Sequence, residues 1–240
     1  MKRVTLLVTM LAIGAVEVPQ TSAQDEIVSK GFLNIDAGAQ PQRQDITATN
    51  TFPLYDETAN VTVSQHIRNG AVFDVSGGVR IGHNLAAGVG FSQFGRAGTG
   101  TVTASIPSPR FFDQPAIVSR SADNLTHTER TIHGRITWFV PVTDSIDVSV
   151  SGGPSYIRVT QGLATGVTVL PGTQSVTLGN ETQSGNVLGF NAGADANVML
   201  VSRFVIGLWV RYTYGKVDLP DVKDLKVGGV QGGLGFRARF

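Results

Sequence analysis

The sequence predicts an all-β chain, an eight-stranded antiparallel up-and-down transmembrane β-barrel. Three observations point there. Segments that alternate apolar with polar or small residues recur eight times, each near the roughly 9 to 11 residues a tilted strand needs to cross a bilayer. The connections between them alternate between short and long. Aromatic residues gather toward the ends of the segments rather than their middles.

At the N-terminus, Lys2 and Arg3 precede an apolar run from Val4 to Val18 and the small-residue stretch Thr21-Ser22-Ala23. This is the pattern of a cleaved signal peptide over 1–23, with the cut after Ala23. Glu17 and Pro19 interrupt the run before it reaches the roughly 20 apolar residues of a spanning helix. Residues 24–240 are then expected to form one barrel domain of about 217 residues, an ordinary size for a single all-β unit. Every later apolar run is cut by Gly, Asn, Asp or Arg within a few residues. A membrane position would therefore require a closed barrel, which pairs every backbone group.

Strands are expected at about Gly31 to Gln40, Ala71 to Ile81, Leu85 to Phe94, Thr131 to Val140, Ile146 to Ile157, Val187 to Leu200, Arg203 to Tyr214 and Val227 to Phe240. In the second, Phe73, Val75, Gly77, Val79 and Ile81 alternate with Asp74, Ser76, Gly78 and Arg80. In the fourth, Ile132, Ile136, Trp138 and Val140 oppose His133, Arg135, Thr137 and Phe139. The seventh sets Phe204, Ile206, Leu208, Val210 and Tyr212 against Val205, Gly207, Trp209, Arg211 and Thr213. One face suits lipid and the other an interior.

Gly82-His83-Asn84, Pro141 to Ser145 and Val201-Ser202 read as tight turns. The connections at about Pro41 to Gly70, Gly95 to Arg130, Arg158 to Asn186 and Gly215 to Lys226 are long. Within them Asn60 to Ser64, Thr101 to Ala104, Val167 to Val169 and Val176 to Leu178 keep strand-like composition, with Pro171-Gly172 as a hairpin turn between the last two. Trp138, Phe204 and Phe240 fall at the short-turn ends; Phe73, Phe91, Phe94, Tyr156, Tyr212 and Tyr214 fall toward the long-loop ends. Two interfacial girdles would have that distribution.

Composition excludes several functions. Of 19 basic and 18 acidic residues, removal of Lys2, Arg3 and Glu17 leaves 17 of each, so no electrostatic case for a nucleic-acid partner exists. There is no cysteine to form a disulfide or accept a lipid. No cofactor motif is found: Gly88-Val89-Gly90 starts like a dinucleotide fingerprint, but Gly95 comes too late and no helix follows. No metal is expected, because the four histidines lack close, repeated spacing and have no Cys partner.

The polar faces define the candidate site. Asp36, Asp74, Asp147 and Asp195 share them with Arg80, Arg135, Arg211, Arg237, Arg239 and His133, beside Asn34, Asn191, Asn197 and Gln231. One reading is a packed interior of ion pairs, since eight strands leave room only for side chains. The other is a narrow path for ions or small solutes, with glycines such as Gly78, Gly90 and Gly235 opening a slot. Of the histidines, only His133 is expected on an inward strand face; His83 falls in a short turn, and His66 and His127 in or near external loops. Ser92 and His133 on neighbouring strands are the one pairing that suggests hydrolysis, too weak to make the chain an enzyme or to assign a catalytic residue.

The final segment, Val227-Gly228-Gly229-Val230-Gln231-Gly232-Gly233-Leu234-Gly235-Phe236-Arg237-Ala238-Arg239-Phe240, resembles the closing strand of small outer-membrane β-barrel proteins of the OmpA-like, OmpX-like and opacity-type group. Phe73 to Ser92, a strand ending in G-G-V-R, a tight turn and L-A-A-G-V-G-F-S, resembles an internal hairpin of that group. The resemblance implies an outer-membrane location in a Gram-negative-type cell, outer-membrane lipid as surroundings, and recognition of Leu234, Phe236 and Phe240 by the outer-membrane assembly machinery. Three roles stay open at this point: a surface-structural or adhesive barrel whose long loops meet an extracellular ligand, a narrow porin-like channel, and a lipid-modifying barrel enzyme.

Overall fold

The computed structural model describes residues 30–41, 44–67, 69–169 and 176–240. The signal-peptide segment 1–23 and the Pro171-Gly172 turn lie outside the described residues. Ten strands form one antiparallel sheet: β1 (Gly31–Gln40), β2 (Gln44–Leu54), β3 (Glu57–Ile67), β4 (Gly70–Arg80), β5 (Leu85–Ile106), β6 (Ala116–Pro141), β7 (Ile146–Val169), β8 (Val176–Val201), β9 (Phe204–Val217) and β10 (Leu225–Arg239).

Eight of them close a ring in the order β1-β4-β5-β6-β7-β8-β9-β10. The seam joins β10 to β1 from Phe32 opposite Arg239 to Ala39 opposite Gly232. Gly31 and Phe240 continue it by exchanging backbone N–H···O bonds of 2.8 and 3.0 Å. Closure leaves the ring without an unpaired edge, which the hydrocarbon of a bilayer would not tolerate.

The two further strands, β2 and β3, lie in the first long connection. They form a hairpin closed by Tyr55 and Asp56, both at positive φ (54° and 60°), the sign pattern of a type I′ turn. β3 docks on the upper half of β5, pairing Asn60–Gln65 with Gly100–Ser105. Two of the other long connections are also built largely of strand: β5 and β6 stay paired to Ile106 and Ala116, and β7 and β8 to Val169 and Val176. The barrel therefore continues past its membrane zone into a β-structured head.

Along each long strand the two faces exchange polarity. On β7, Ile146, Val150 and Tyr156 point outward and are exposed, while Ser149 and Ser155 are buried inside. Two residues on, the outward positions become Arg158 and Thr160, and the inward ones Ile157 and Val159, both wholly buried. On β9 the change falls between Tyr214 and Lys216. Below the change, lipid wets the outside; above it, water does.

The lower exterior is an uninterrupted apolar belt that includes Val89, Leu188, Leu208 and Leu234, exposed by 68, 78, 63 and 69%. From Phe204 to Tyr214, at about 3.3 Å per residue and a tilt near 40°, the belt is about 25 Å tall, the height of an outer-membrane hydrocarbon layer. Aromatics bound it. Phe204 stacks on Phe236 at 5.5 Å near the short turns, and Phe190, Tyr212 and Tyr214 cluster within 5.8–6.3 Å near the head. Phe94 is a correction to the girdle: it shares the inward parity of Ser92, is 1% exposed, and packs inside against Val72 and Trp209.

In the head two apolar clusters replace the polar interior. One comprises Ile157, Val159, Leu163, Val217, Leu219, Val222, Leu225 and Val227. The other joins Val61 and Val63 of β3 to Val102, Ala104 and Ile106 of β5 and to Leu125 of β6.

Candidate functional site

The inward residues of the barrel stack in layers from the short turns toward the head. In the lowest, Asp147 on β7 accepts hydrogen bonds from Asn197 on β8 (2.8 Å) and from Arg239 on β10. Arg237 donates from Nε to Asn34 Oδ1 at 2.8 Å, and its Nη1 lies 3.8 Å from Asp147. Its guanidinium also faces the rings of Phe32 and Phe139 at 5.4 and 5.3 Å, a cation–π arrangement. Arg80 lies 5.0 Å over the Phe139 ring and bonds the His83 carbonyl of the adjoining turn at 3.4 Å, so it stands at the mouth and forms no ion pair among the described residues.

The middle layer centres on Asp74, which is fully buried. Its Oδ2 accepts from Arg135 Nη2 and from Arg211 Nη1, each at 2.8 Å, and Arg211 Nη2 reaches Oδ1 at 3.4 Å. A carboxylate held by two guanidinium groups is satisfied without water, and charge-assisted bonds of this kind are the strong ones. Arg211 lies over Trp209 at 5.2 Å. Asp36 is the register partner of Asp74, and Asp195 receives the Ser149 hydroxyl at 3.0 Å. Asp36 and Asp195 line one small void together. In these two layers four carboxylates thus stand with Arg135, Arg211, Arg237 and Arg239, and their formal charges balance.

Above this lies a chain of polar groups without Asp, Glu, Lys or Arg. His133 is completely buried, with Ser92 Oγ 2.8 Å from Nε2 and Ser155 Oγ 2.9 Å from Nδ1. Asn191 donates to the same Ser155 oxygen at 2.9 Å. Ser92 and His133 do meet, but the second imidazole nitrogen contacts a serine where a hydrolytic triad would place a carboxylate.

A last layer spans the lumen under the head. Glu129 Oε1 lies 2.9 Å from His127 Nε2, and His127 Nδ1 lies 2.6 Å from Gln161 Oε1. Gln161 donates to Gln65 at 2.8 Å; Glu129 Oε2 accepts the Gly228 N–H at 2.9 Å. Gln40 and Gln231 bond each other at 2.7 Å beside them. His127 is another correction: it sits on the inward face of β6, 1% exposed, because that strand runs far beyond Thr131. Carrying the alternation of β6 back through Leu125, His127 and Glu129 is the signal that finds this layer.

Two voids between the layers measure about 10 and 20 Å³. A single water needs roughly 10–15 Å³, so each of these two holds one water at most. Ser76, Arg135 and Arg237 border the larger one, and each turns a buried polar atom without a hydrogen-bond partner into the interior. Gly90 is not an open slot. At Gly90 an added Cβ would stand 2.9 Å from Arg135 Nη2, so the space left by the missing side chain is filled by the guanidinium.

A closed eight-stranded sheet, a lipid-facing belt between aromatic borders and a self-neutralised interior together define an outer-membrane β-barrel. The solved structure of neisserial surface protein A resembles it with a TM-score of 0.50 at 12% identity, over 88% of this chain and 97% of that one. OprG of Pseudomonas aeruginosa (TM-score 0.45, 11% identity, 88% and 97%) and Ail of Yersinia pestis (0.40, 15%, 87% and 99%) are more distant outer-membrane barrels. At such identities the likeness is one of fold. No protein-family model and no curated protein sequence matches the chain.

Proposed function

We propose that the chain is a sealed, non-enzymatic membrane anchor that holds a β-structured head outside the cell, in a surface-structural or adhesive role. The observation behind this reading is the continuation of β5 to β8 past the belt into a head with its own apolar clusters, over a lumen filled by paired side chains. Rigid strands position the head, and its connections supply the variable surface for an extracellular ligand.

Reconstitution of the full chain in planar bilayers tests it. The expected record has no stepwise conductance, because opening a path would break the Asp74 and Asp147 pairs together. Reproducible unitary currents that change on substitution of Arg135 or Arg211 would establish a channel instead.

In the same proposal Leu234 and Phe236, outward on β10 beside the seam, and Phe240, exposed just past the end of that strand, are the residues met by the assembly machinery.

A further inference from the structure

The outer rim of the belt carries a feature that the lumen does not explain. Arg130 on β6 and Arg158 on β7 are register partners, both exposed and both pointing outward. Cross-strand pairs of like charge oppose sheet formation, so this one does nothing for the barrel. Gln93 is the partner of Arg130 on one side and Asn186 of Arg158 on the other, and the outward row holds no carboxylate to neutralise them. Neither arginine has an ion pair among the described residues. The second such pair on the rim, Lys216 and Lys226, differs: Lys216 lies 3.7 Å from Asp224.

Directly beneath the arginines the exterior becomes lipid-facing, with Ile132, Tyr156 and Leu188 two residues down their strands and exposed by 56, 45 and 78%. Beside them, reached through Gln93, lies an open depression of about 530 Å³ lined by Ala37, Ala71, Phe73, Gln93 and Gly95. Small residues on β1 and β4 recess the surface there. Two guanidinium groups at the level of lipid headgroups, next to a recess at the upper edge of the belt, match one chemistry: an anionic head on an apolar tail. Arginine binds phosphate through paired N–H donors, which a lone ammonium cannot do.

We propose that Arg130 and Arg158 form a binding site for the phosphate of an outer-leaflet lipid, with an acyl chain of that lipid lying in the recess lined by Ala37, Ala71 and Phe73. The site rests on the reading of the belt as lipid-embedded.

The test uses the full chain, folded in a phosphate-free detergent, with native mass spectrometry counting retained lipid. Phosphatidic acid and a diacylglycerol of the same chains are offered separately, with inorganic phosphate as competitor. Phosphatidic acid is expected to be retained in preference to diacylglycerol, and R130Q/R158Q to reduce its retention about tenfold or more, the loss expected for two charge-assisted contacts. K216Q/K226Q is expected to bind like the parent. Equal retention by R130Q/R158Q and the parent would overturn the proposal. Displacement by millimolar inorganic phosphate would replace it with a free-anion site. Failure of the parent to insert into phosphatidylcholine vesicles would count against the membrane reading itself; insertion with unselective lipid retention would count against the site alone.

Discussion

Asp74 and Arg211 stand 137 positions apart in the chain and meet inside the barrel through two hydrogen bonds of 2.8 and 3.4 Å. No local signal joins them. They meet because β4 and β9 stand only three strand steps apart, through β1 and β10, in one closed ring of eight, and the two side chains cross its narrow interior.

Asp74→Ala leaves Arg135 and Arg211 buried with no carboxylate in place of Asp74. Breaking a buried pair from one side costs about 3–5 kcal/mol, so the variant should unfold from vesicles at clearly lower urea than the parent. Replacing Arg135 and Arg211 by methionine in the same variant should recover part of that loss, because the stranded charges go with them.

Gly90 is occupied in effect by Arg135. Gly90→Val should displace the guanidinium from Asp74 and destabilise the fold by about 1–3 kcal/mol, as overpacking does. Gly95 has open space around its missing Cβ, so Gly95→Val is the matched control and should leave the unfolding midpoint near that of the parent.

Leu208 lies in the middle of the belt, between Leu234 and Ala196 on its neighbours. Leu208→Arg should cost about 2–4 kcal/mol of insertion free energy. Thr103→Arg, on the exposed face of the head, should cost almost nothing. Folding yields into phosphatidylcholine vesicles, read from heat-dependent gel migration, separate the two.

Ile106 is wholly buried in the apolar cluster of the head, far from the lipid-facing segments. Ile106→Asp should open the head to protease on intact cells. Its barrel should still show heat-dependent migration, because the ring below Phe94 keeps every pair. Loss of both together would mean that head and barrel fold as one unit.

The eight membrane strands are legible because lipid outside and a polar interior impose period two with a constant sign, as in Phe73 to Ile81. The hairpin of β2 and β3 is harder to see. Its turn uses Tyr55 and Asp56 at positive φ where Asn or Gly would announce it, and Pro53 interrupts the strand pattern. His127 and Phe94 are misplaced for a related reason: their strands continue, but the rule that apolar residues face outward fails near the rim. The inward set of Asp and Arg residues can be read from parity alone. Which arginine meets which aspartate depends on strand stagger and on chords across the lumen, and no spacing in the sequence encodes those.

The exchange of polarity along the strands has a consequence for alignment. In a strand of uniform alternation, a one-residue slip turns every side chain to the wrong face, but a two-residue slip restores the pattern and is resisted only weakly. Here a two-residue slip of β7 toward the short turns would sink Arg158 into hydrocarbon and draw Ile157 down among the polar layers. A slip the other way would lift Tyr156 into water and Ser155 into the apolar head. The position of each strand along the membrane normal is therefore written into the order of its own side chains, as marks are on a gauge, independently of the turns that connect it.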